Sequence, residues 1–412
     1  MKLFRPTGIV LVMLSLMYLI TYIDRVNVST AAAGFAKDFH LSKTQIGLVF
    51  SAFAYPYLLF QIIGGWVSDR FGTRRTLIAC SLIWAFATVL TGLAGGLVSL
   101  LAARLLLGLG EGATFPAATG AMARWVSPAD RGFAQGITHA AARLGNALAP
   151  GLIVAVMAVY GWRASFFVCA AISFVWLGAW MLIFRENPLE HPGLTQEERD
   201  ALPAPKPKGQ AVPWGRLFKR MAPVTIVYFC YGWTLWLFLS WIPQYFLHSQ
   251  NLNLSKMALF SSAVFLAGVI GDTLGGIVTD RIYTRTGDLR RARSLMVAVC
   301  MGATCLSLVP LMFTHDVMLS LLCLSAGFFF AEMTIGPMWA VPMDIAPDAS
   351  GTASGIMNSG SALAAIISPV VGGFLIDKTG NWQLPFVGSM VLMLVGMALS
   401  FRMRPDQRLD IT

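Results

Sequence analysis

Charge is what this 412-residue sequence has least of: Asp, Glu, Lys and Arg together make up 12% of it, while hydrophobic residues make up 56%. A soluble domain carries about 25% charge. The deficit excludes a disordered chain, a nucleic-acid-binding tail and an ordinary water-soluble enzyme. Cysteine is also scarce. The six cysteines, at 80, 169, 230, 300, 305 and 323, sit in apolar runs without paired or metal-like spacing. They read as small buried hydrophobes, with no disulfide or metal site expected. Catalytic signatures are missing as well: there is no H-E-x-x-H, no G-x-S-x-G, no Cys/His cluster and no phosphate-binding loop. The loops are too short for a catalytic domain, so a membrane-embedded transferase or hydrolase is set aside and no cofactor is expected.

What the chain does have is long apolar runs. A helix crossing lipid needs about 20 mostly apolar residues. Such runs occur near 8–33, 44–66, 76–94, 97–122, 132–158 and 165–184, then near 222–247, 256–279, 294–313, 317–341, 350–376 and 384–401. Twelve transmembrane helices are therefore expected, in an all-α polytopic membrane protein. Lys2 and Arg5 before the first run, with Ala31 to Ala33 after it, imitate a secretory signal. The run is too long for a signal core and Asp24-Arg25 interrupts it, so it reads as a retained span.

Basic residues set the orientation. With the N-terminus inside, 22 Lys and Arg fall in inner segments and 5 in outer loops. The positive-inside rule then places both termini in the cytoplasm of a bacterial-type inner membrane. It also accounts for the +10 net charge without nucleic acid.

One long polar stretch, 186–220, reads as a cytoplasmic linker between 1–185 and 221–412. The parts on either side repeat. Gly65-Trp-Val-Ser-Asp69-Arg70 recurs as Gly276-Ile-Val-Thr-Asp280-Arg281, and Glu111 with Pro116 recurs as Glu332 with Pro337. Pro128, Gly132, Gly136-Ile137 and Pro150 likewise recur as Pro347, Gly351, Gly355-Ile356 and Pro369. Repeated six-helix halves are a common plan of secondary transporters, with substrate bound near the bilayer midplane.

The loop Gly65-X-X-X-Asp69-Arg70-X-Gly72-X-Arg74-Arg75 resembles the signature loop of the major facilitator superfamily. Three further stretches resemble its anion:cation symporter family. They are Tyr22-Ile-Asp24-Arg25-Val-Asn27, the segment from Arg104 through Glu111 to Pro116, and Asn358. The resemblance runs over essentially the whole chain. It implies two pseudo-symmetric six-helix bundles and import of a small organic anion with protons.

The individual charges carry the detail. Asp69, Arg70, Arg74, Asp280 and Arg281 lie at inner helix ends, where charge is cheap; they read as gating ion pairs that latch neighbouring helices. Charges within spans cost about 2.5–3.5 kcal/mol each and mark function. Tyr18, Tyr22, Arg25 and Ser29 share one helical face. An arginine among tyrosines suits a carboxylate, which it can hold by two parallel bonds. The alternative is a structural Asp24–Arg25 tie to a neighbouring span. For Arg25 the resemblance favours substrate. Arg104 and Glu111 are two turns apart on one face, too far for direct contact. The resemblance implies that Asp24 and Glu111 couple protons, with Arg104 partnering one of them; a packing carboxylate is the alternative for Glu111.

His139, Arg143 and Asn146 form one polar face of span 5. Arg143 lies outside the family pattern: it can favour dianions, or close the inner end of the cavity against Glu332 or Asp272. His139 reads as a hydrogen-bonding side chain. Glu332 is a vestigial or a second proton site, and Asp272 belongs near the inner gate. Tyr55, Asn358 and Ser361 complete the substrate candidates, with Thr334 as a hydroxyl partner and the span 7 aromatics Tyr228, Tyr231, Trp233 and Trp236 as walls or interfacial anchors.

The reading is thus a proton-coupled importer of a sugar acid (hexonate, hexuronate, aldarate) or another small carboxylate, expected to act as a monomer. An exporter of drugs on the same fold is the alternative, disfavoured by Arg25, Arg104 and Arg143; a channel suits the repeat less well. Sodium is the less favoured coupling ion, since the arginines would repel it.

Overall fold

The structure is a computed structural model that describes residues 5–41, 43–202, 212–250, 252, 254–314 and 316–409. The expected linker lies partly outside the described residues, as do Lys2 and the side chain of Ser29. Among the described residues every regular element is helical. That follows from the solvent: lipid offers no hydrogen bonds, so each backbone amide and carbonyl must be paired within its own segment.

The first helix, α1 (Pro6–Asp38), starts on a proline, whose missing N–H costs nothing in a first turn. Next come α2 (Lys43–Ala52) and α3 (Ala54–Phe71), then α4 (Thr73–Gly92), then α5 (Leu97–Gly112) and α6 (Thr114–Trp125). The α2/α3 and α5/α6 passages each break once, at Phe53 and Ala113. Pro56 and Pro116 stand third in the new helix. A proline ring lacks the N–H and clashes with the carbonyl four residues back. Those carbonyls belong to Ala52 and Gly112, the last residues of α2 and α5. The break between α12 (Val317–Glu332) and α13 (Ile335–Ile345) repeats this at Pro337. The sequence repeat is therefore also a repeat of broken helices, with a glutamate beside two of the breaks.

Between these, α7 (Arg131–Ile183) runs 53 residues, interrupted at Gly161 with φ 79°. Only glycine enters that region freely, and the interruption falls in the gap expected between spans 5 and 6. Short α8 (Gln196–Ala201) precedes α9 (Trp214–Gln244), α10 (Leu254–Thr286) and α11 (Met296–Leu308); α14 (Ser350–Thr379) and α15 (Leu384–Ser400) end the chain. Nine stretches among the described residues are long and apolar enough to cross a bilayer, and α15 is a shorter apolar helix. With α7 divided at Gly161, the architecture fits twelve passes.

The chain forms two compact units. The first comprises 1–128, 141–210 and 348–355, and the second 129–140, 211–347 and 356–412. The starts of α7 and α14 are thus exchanged relative to a division at the linker. In the first unit Trp84, Trp176, Trp180 and Phe184 stack in a ladder, with ring centroids 5.6, 5.3 and 4.1 Å apart. The Trp176 indole donates to the Met13 carbonyl at 2.8 Å. Lipid tails are as apolar as leucine, so packing rather than water expulsion holds such helices together, and small residues mark the close crossings. At Gly108 a Cβ would stand 2.2 Å from the Phe53 carbonyl oxygen. At Gly145 it would stand 2.6 Å from the Leu19 carbonyl oxygen. These two contacts bring α5 against the α2/α3 break and α7 against α1. In the second unit Phe238, Phe328 and Phe386 form the aromatic core.

Candidate functional site

The chemistry gathers in the first unit around Arg25, late in α1. The α2/α3 break turns Phe53 and Tyr57 towards it, and the α5/α6 break does the same for Phe115. Tyr22 comes from the preceding turn of α1. The guanidinium carbon lies 4.7 Å from the ring centroids of Tyr22 and Tyr57, 5.1 Å from Phe53 and 5.2 Å from Phe115. Four ring faces thus attract one cation in low dielectric. The anionic partner is Glu111, the second-last residue of α5. Arg25 Nε donates to Glu111 Oε2 at 2.6 Å, with Glu111 fully buried and Arg25 10% exposed.

That bond uses one of the donors available. Nη1 and Nη2 of Arg25 and Oε1 of Glu111 are buried and meet no hydrogen-bond partner among the described residues. A guanidinium presents its donors as a rigid fork matched to a carboxylate. Leaving charged donors unmet in the interior costs on the order of 1–3 kcal/mol or more. The two Nη groups are therefore a ready seat for a second carboxylate.

Around this pair stand further charges of the same unit. Arg104, buried, stacks on Phe53 at 5.0 Å and donates from Nε to the Val49 carbonyl at 3.4 Å. Phe53 is thus shared by two guanidiniums. Arg104 makes no ion pair with Asp24 or Glu111 among the described residues. Glu111 reaches across to α1, and Arg104 acts on Asp24 and Glu111 through its charge and not through a direct ion pair. Asp24 is buried, and neither of its oxygens meets a hydrogen-bond donor among the described residues. Beside it on α1, Asn27 accepts from Ser165 at 2.8 Å and donates to Cys169 at 3.5 Å. The alternative of an Asp24–Arg25 structural tie is not what forms; Arg25 takes Glu111. Arg143, buried, faces the Tyr22 ring at 5.6 Å.

Tyr55 needs correcting. It is 59% exposed, on the apolar stripe it shares with Leu59 and Ile63. Tyr57, two residues on, is the tyrosine that meets Arg25. His139 belongs to the second unit, whereas Arg143 belongs to the first. The His139 ring lies 2.9 Å from the Gln135 carbonyl through Nδ1 and 4.9 Å from the Trp339 ring. Asn358 and Ser361 are buried in the second unit, and Ser361 accepts from the Trp236 indole at 3.3 Å. Glu332 occupies the repeat position of Glu111, yet it accepts from the Tyr231 hydroxyl at 2.9 Å. That bond is from a neutral donor. Asp272 is wholly buried within α10, with the Gly136 position pressed on its carbonyl.

The signature carboxylates, read in the sequence as gating ion pairs, each hold the start of a neighbouring helix. Asp69 accepts from the backbone amides of Gly351 and Thr352 at 3.1 and 2.6 Å, and from the Thr352 hydroxyl at 2.7 Å. Asp280 accepts from the amides of Gly132 and Phe133 at 3.1 and 2.6 Å. Each therefore satisfies the free N–H groups at the start of a helix, α14 or α7, where the helix dipole favours an anion. Arg70 lies over the Trp66 ring at 5.8 Å, and Arg74 donates to the Met181 carbonyl at 2.6 Å. Arg281 is exposed and makes no ion pair among the described residues. The cation that does pair with Asp280, at 3.2 Å, is Arg293, which also holds Asp344 at 3.1 Å beside Arg131. Sequence reasoning missed Arg293, Tyr57, Phe53 and the role of Phe115. Only Tyr57 carried a signal, since it follows the proline that breaks the passage.

Comparison with known proteins agrees with this architecture. The family profile described as Major Facilitator Superfamily matches residues 14–369. A probable sulfoacetate transporter, SauU, of Cupriavidus necator is 45% identical over 97% of this chain and 94% of its own length. The hexuronate transporter of Bacillus subtilis is 30% identical over 92% of this chain and 90% of its own. The solved proton:xylose symporter XylE superposes with a TM-score of 0.77 at 15% identity, covering 95% of this chain and 94% of that one. The human organic anion transporter MFSD10 does so with 0.73 at 18%, covering 96% and 99%; at these identities the likeness speaks for the fold. From the broken-helix repeat, the paired signature loops and these matches together, the chain belongs to the Major Facilitator Superfamily: a multi-pass membrane transporter and not an enzyme.

Proposed function

We propose that the chain is a secondary transporter that imports a small organic anion, a sugar acid or another small carboxylate, together with protons by alternating access. The observation that carries this reading is the single-bonded Arg25–Glu111 pair, with both Nη donors of Arg25 buried and unmet among the described residues. A substrate carboxylate takes the Nη fork. A proton on Glu111 removes the competing charge and leaves Arg25 wholly to the substrate. Loss of that proton returns Arg25 to Glu111 and drives the anion off. Because binding linkage is reciprocal, the anion raises the affinity for the proton by the same factor. Asp24, buried close by on α1, is the second proton carrier, and Arg104 keeps the region positive through Phe53.

Relatives support the substrate class: the probable sulfoacetate transporter, the hexuronate transporter, and a probable galactarate/D-glucarate transporter of Escherichia coli, 30% identical. The 22-to-5 division of basic residues supports a bacterial inner membrane with both termini inside. Asp69 and Asp280 act as latches that hold and release helix starts as access changes sides.

The test is uptake of labelled hexonate, hexuronate and dicarboxylate into proteoliposomes, with and without an inward pH gradient. Gradient-driven uptake of an acid is expected from the wild type. It should disappear in Arg25→Ala and lose part of its pH dependence in Glu111→Gln, where Asp24 alone is left to carry a proton. Expulsion of cationic dyes with no acid taken up would overturn the reading.

A further inference from the structure

Asp24 is 3% exposed, and neither of its carboxylate oxygens closes a hydrogen bond among the described residues. From α5, Glu111 and Arg104 act on it by charge, while its chain neighbour Arg25 is turned to Glu111. The other side chains that act on it are neutral: Thr88 of α4 and Cys169 of α7, both buried and both in the first unit. Cys169 is fixed there by the apolar cluster it shares with Ile23, the residue before Asp24. It is also fixed by Asn27, one turn along α1, whose amide donates to Sγ at 3.5 Å.

The two neutral neighbours differ in what they can offer. A hydroxyl has one proton and two lone pairs. Thr88 spends its proton on the Trp84 carbonyl, 2.9 Å away, the back-bond a threonine makes within a helix. Towards Asp24 it presents a lone pair, which accepts from a protonated carboxyl and repels an ionised one. Cys169 is the reverse. Its sulfur already accepts from the Asn27 amide, so its S–H remains to be given, and an ionised carboxylate takes it. Asn27 is in turn held by Ser165, whose hydroxyl lies 2.8 Å from Asn27 Oδ1 and 2.7 Å from the Trp162 carbonyl. That hydroxyl has one proton for two acceptors. With the proton on Asn27, the amide keeps its NH2 on sulfur and the thiol proton faces Asp24. With the proton on Trp162, the amide can turn over, give its NH2 to Ser165 and take the thiol proton on its oxygen. Asp24 then has its own proton to give, to Thr88.

We propose that Thr88 and Cys169 are positioning residues for the proton of Asp24. Thr88 accepts the hydrogen bond of the loaded acid, Cys169 gives one to the emptied acid, and the Asn27–Ser165 pair turns the thiol proton from one partner to the other. The proposal rests on Asp24 as a proton carrier, as read above, and deepens that reading. Each state of the acid has one neutral partner, so neither loading nor release leaves it without a bond. A guanidinium paired directly to it would instead hold the acid ionised. The thiol keeps its proton throughout; only the proton on Asp24 is exchanged.

The test uses the full chain in proteoliposomes and the labelled hexonate, hexuronate and dicarboxylate panel. Initial uptake is followed against external pH with the internal pH held alkaline. The profile is read in the wild type and in Glu111→Gln, where Asp24 alone is left to carry a proton; Asp24→Asn in that background should abolish the remaining pH dependence. Thr88→Val removes the acceptor of the loaded acid, so half-maximal uptake should move to more acid pH, by about half a unit to one unit for one neutral hydrogen bond. Cys169→Ala removes the donor to the emptied acid and should move it the other way, to more alkaline pH, by about half a unit. Cys169→Ser restores a donor, and a stronger one, so its profile should lie at or on the acid side of the wild type; Thr88→Ser should restore the wild-type profile. Damage to the fold lowers the maximal rate without moving the midpoint, and the serine variants separate it from the proposed roles. Midpoints that stay in place, or that move the same way in Thr88→Val and Cys169→Ala, while Asp24→Asn still abolishes pH dependence, would overturn the positioning roles and leave Asp24 as the carrier. A pH dependence that survives Asp24→Asn would remove that reading and this proposal with it.

Discussion

Arg25 sits where four aromatic faces and one carboxylate oxygen fix the plane of its guanidinium. Shape therefore counts as much as charge. Arg25→Lys keeps the cation but loses the separate Nε and Nη directions, so Glu111 and a substrate would compete for one ammonium. Uptake in proteoliposomes should fall roughly tenfold to a hundredfold, the worth of one charged hydrogen bond at about 1.5–3 kcal/mol. The cage offers a sharper contrast. Tyr57→Ala removes a ring from the cation and should weaken uptake by about 0.5–2 kcal/mol, whereas Tyr55→Ala, on the exposed stripe, should leave it unchanged. Equal effects of the two would contradict the placement of the break at Phe53. At this scale the sequence was legible where a charge stood inside an apolar run, because insertion cost alone singles out Asp24, Arg25, Arg104, Glu111 and Arg143. Which charge meets which was not legible. Arg25 and Glu111 are 86 residues apart, and their meeting depends on how three helices cross.

Those crossings are set by elements that carry no charge. Pro56 and Pro116 end one helix and begin another, and Gly108 lets α5 close onto the α2/α3 break. The repeat of the prolines was visible in the sequence. Which side of α3 meets Arg25 was not, so the sequence does not show that Tyr57 and not Tyr55 faces the guanidinium. Gly145→Val tests the element directly. Its branched side chain would meet the Leu19 backbone, which cannot yield as a flexible side chain does. The variant should lower thermal stability by about 1–3 kcal/mol, as overpacking does, and impair uptake by displacing Tyr22 from Arg25. The helix starts give a second prediction. Asp69→Ala strips three acceptor contacts from the first turn of α14 and should cost about 0.5–2 kcal/mol by thermal unfolding. Asp280→Ala should cost as much at α7. Asp280 does meet an arginine, Arg293 and not the adjacent Arg281, while Arg70 and Arg74 find aromatic faces and carbonyls.

For the whole molecule the consequence of the proposed site is electrical. Asp24 and Glu111 offer two proton positions in one unit. A monoanion carried with two protons moves one net positive charge inward, and the membrane potential then adds about 2.3 kcal/mol per 100 mV. A dianion carried with two protons moves none. The two substrate classes therefore predict opposite responses to a potassium diffusion potential in proteoliposomes. For a dianion such as malonate, an inside-negative potential should leave uptake unchanged while the pH gradient alone drives it. Gluconate, where taken up, should be accelerated by the same potential. Glu111→Gln, with one proton position left, should make dianion entry move a net negative charge, so the inside-negative potential should now slow it. That reversal depends on the charge count of the buried residues together with the substrate and on nothing else in the fold, and a structural role for Glu111 would not produce it.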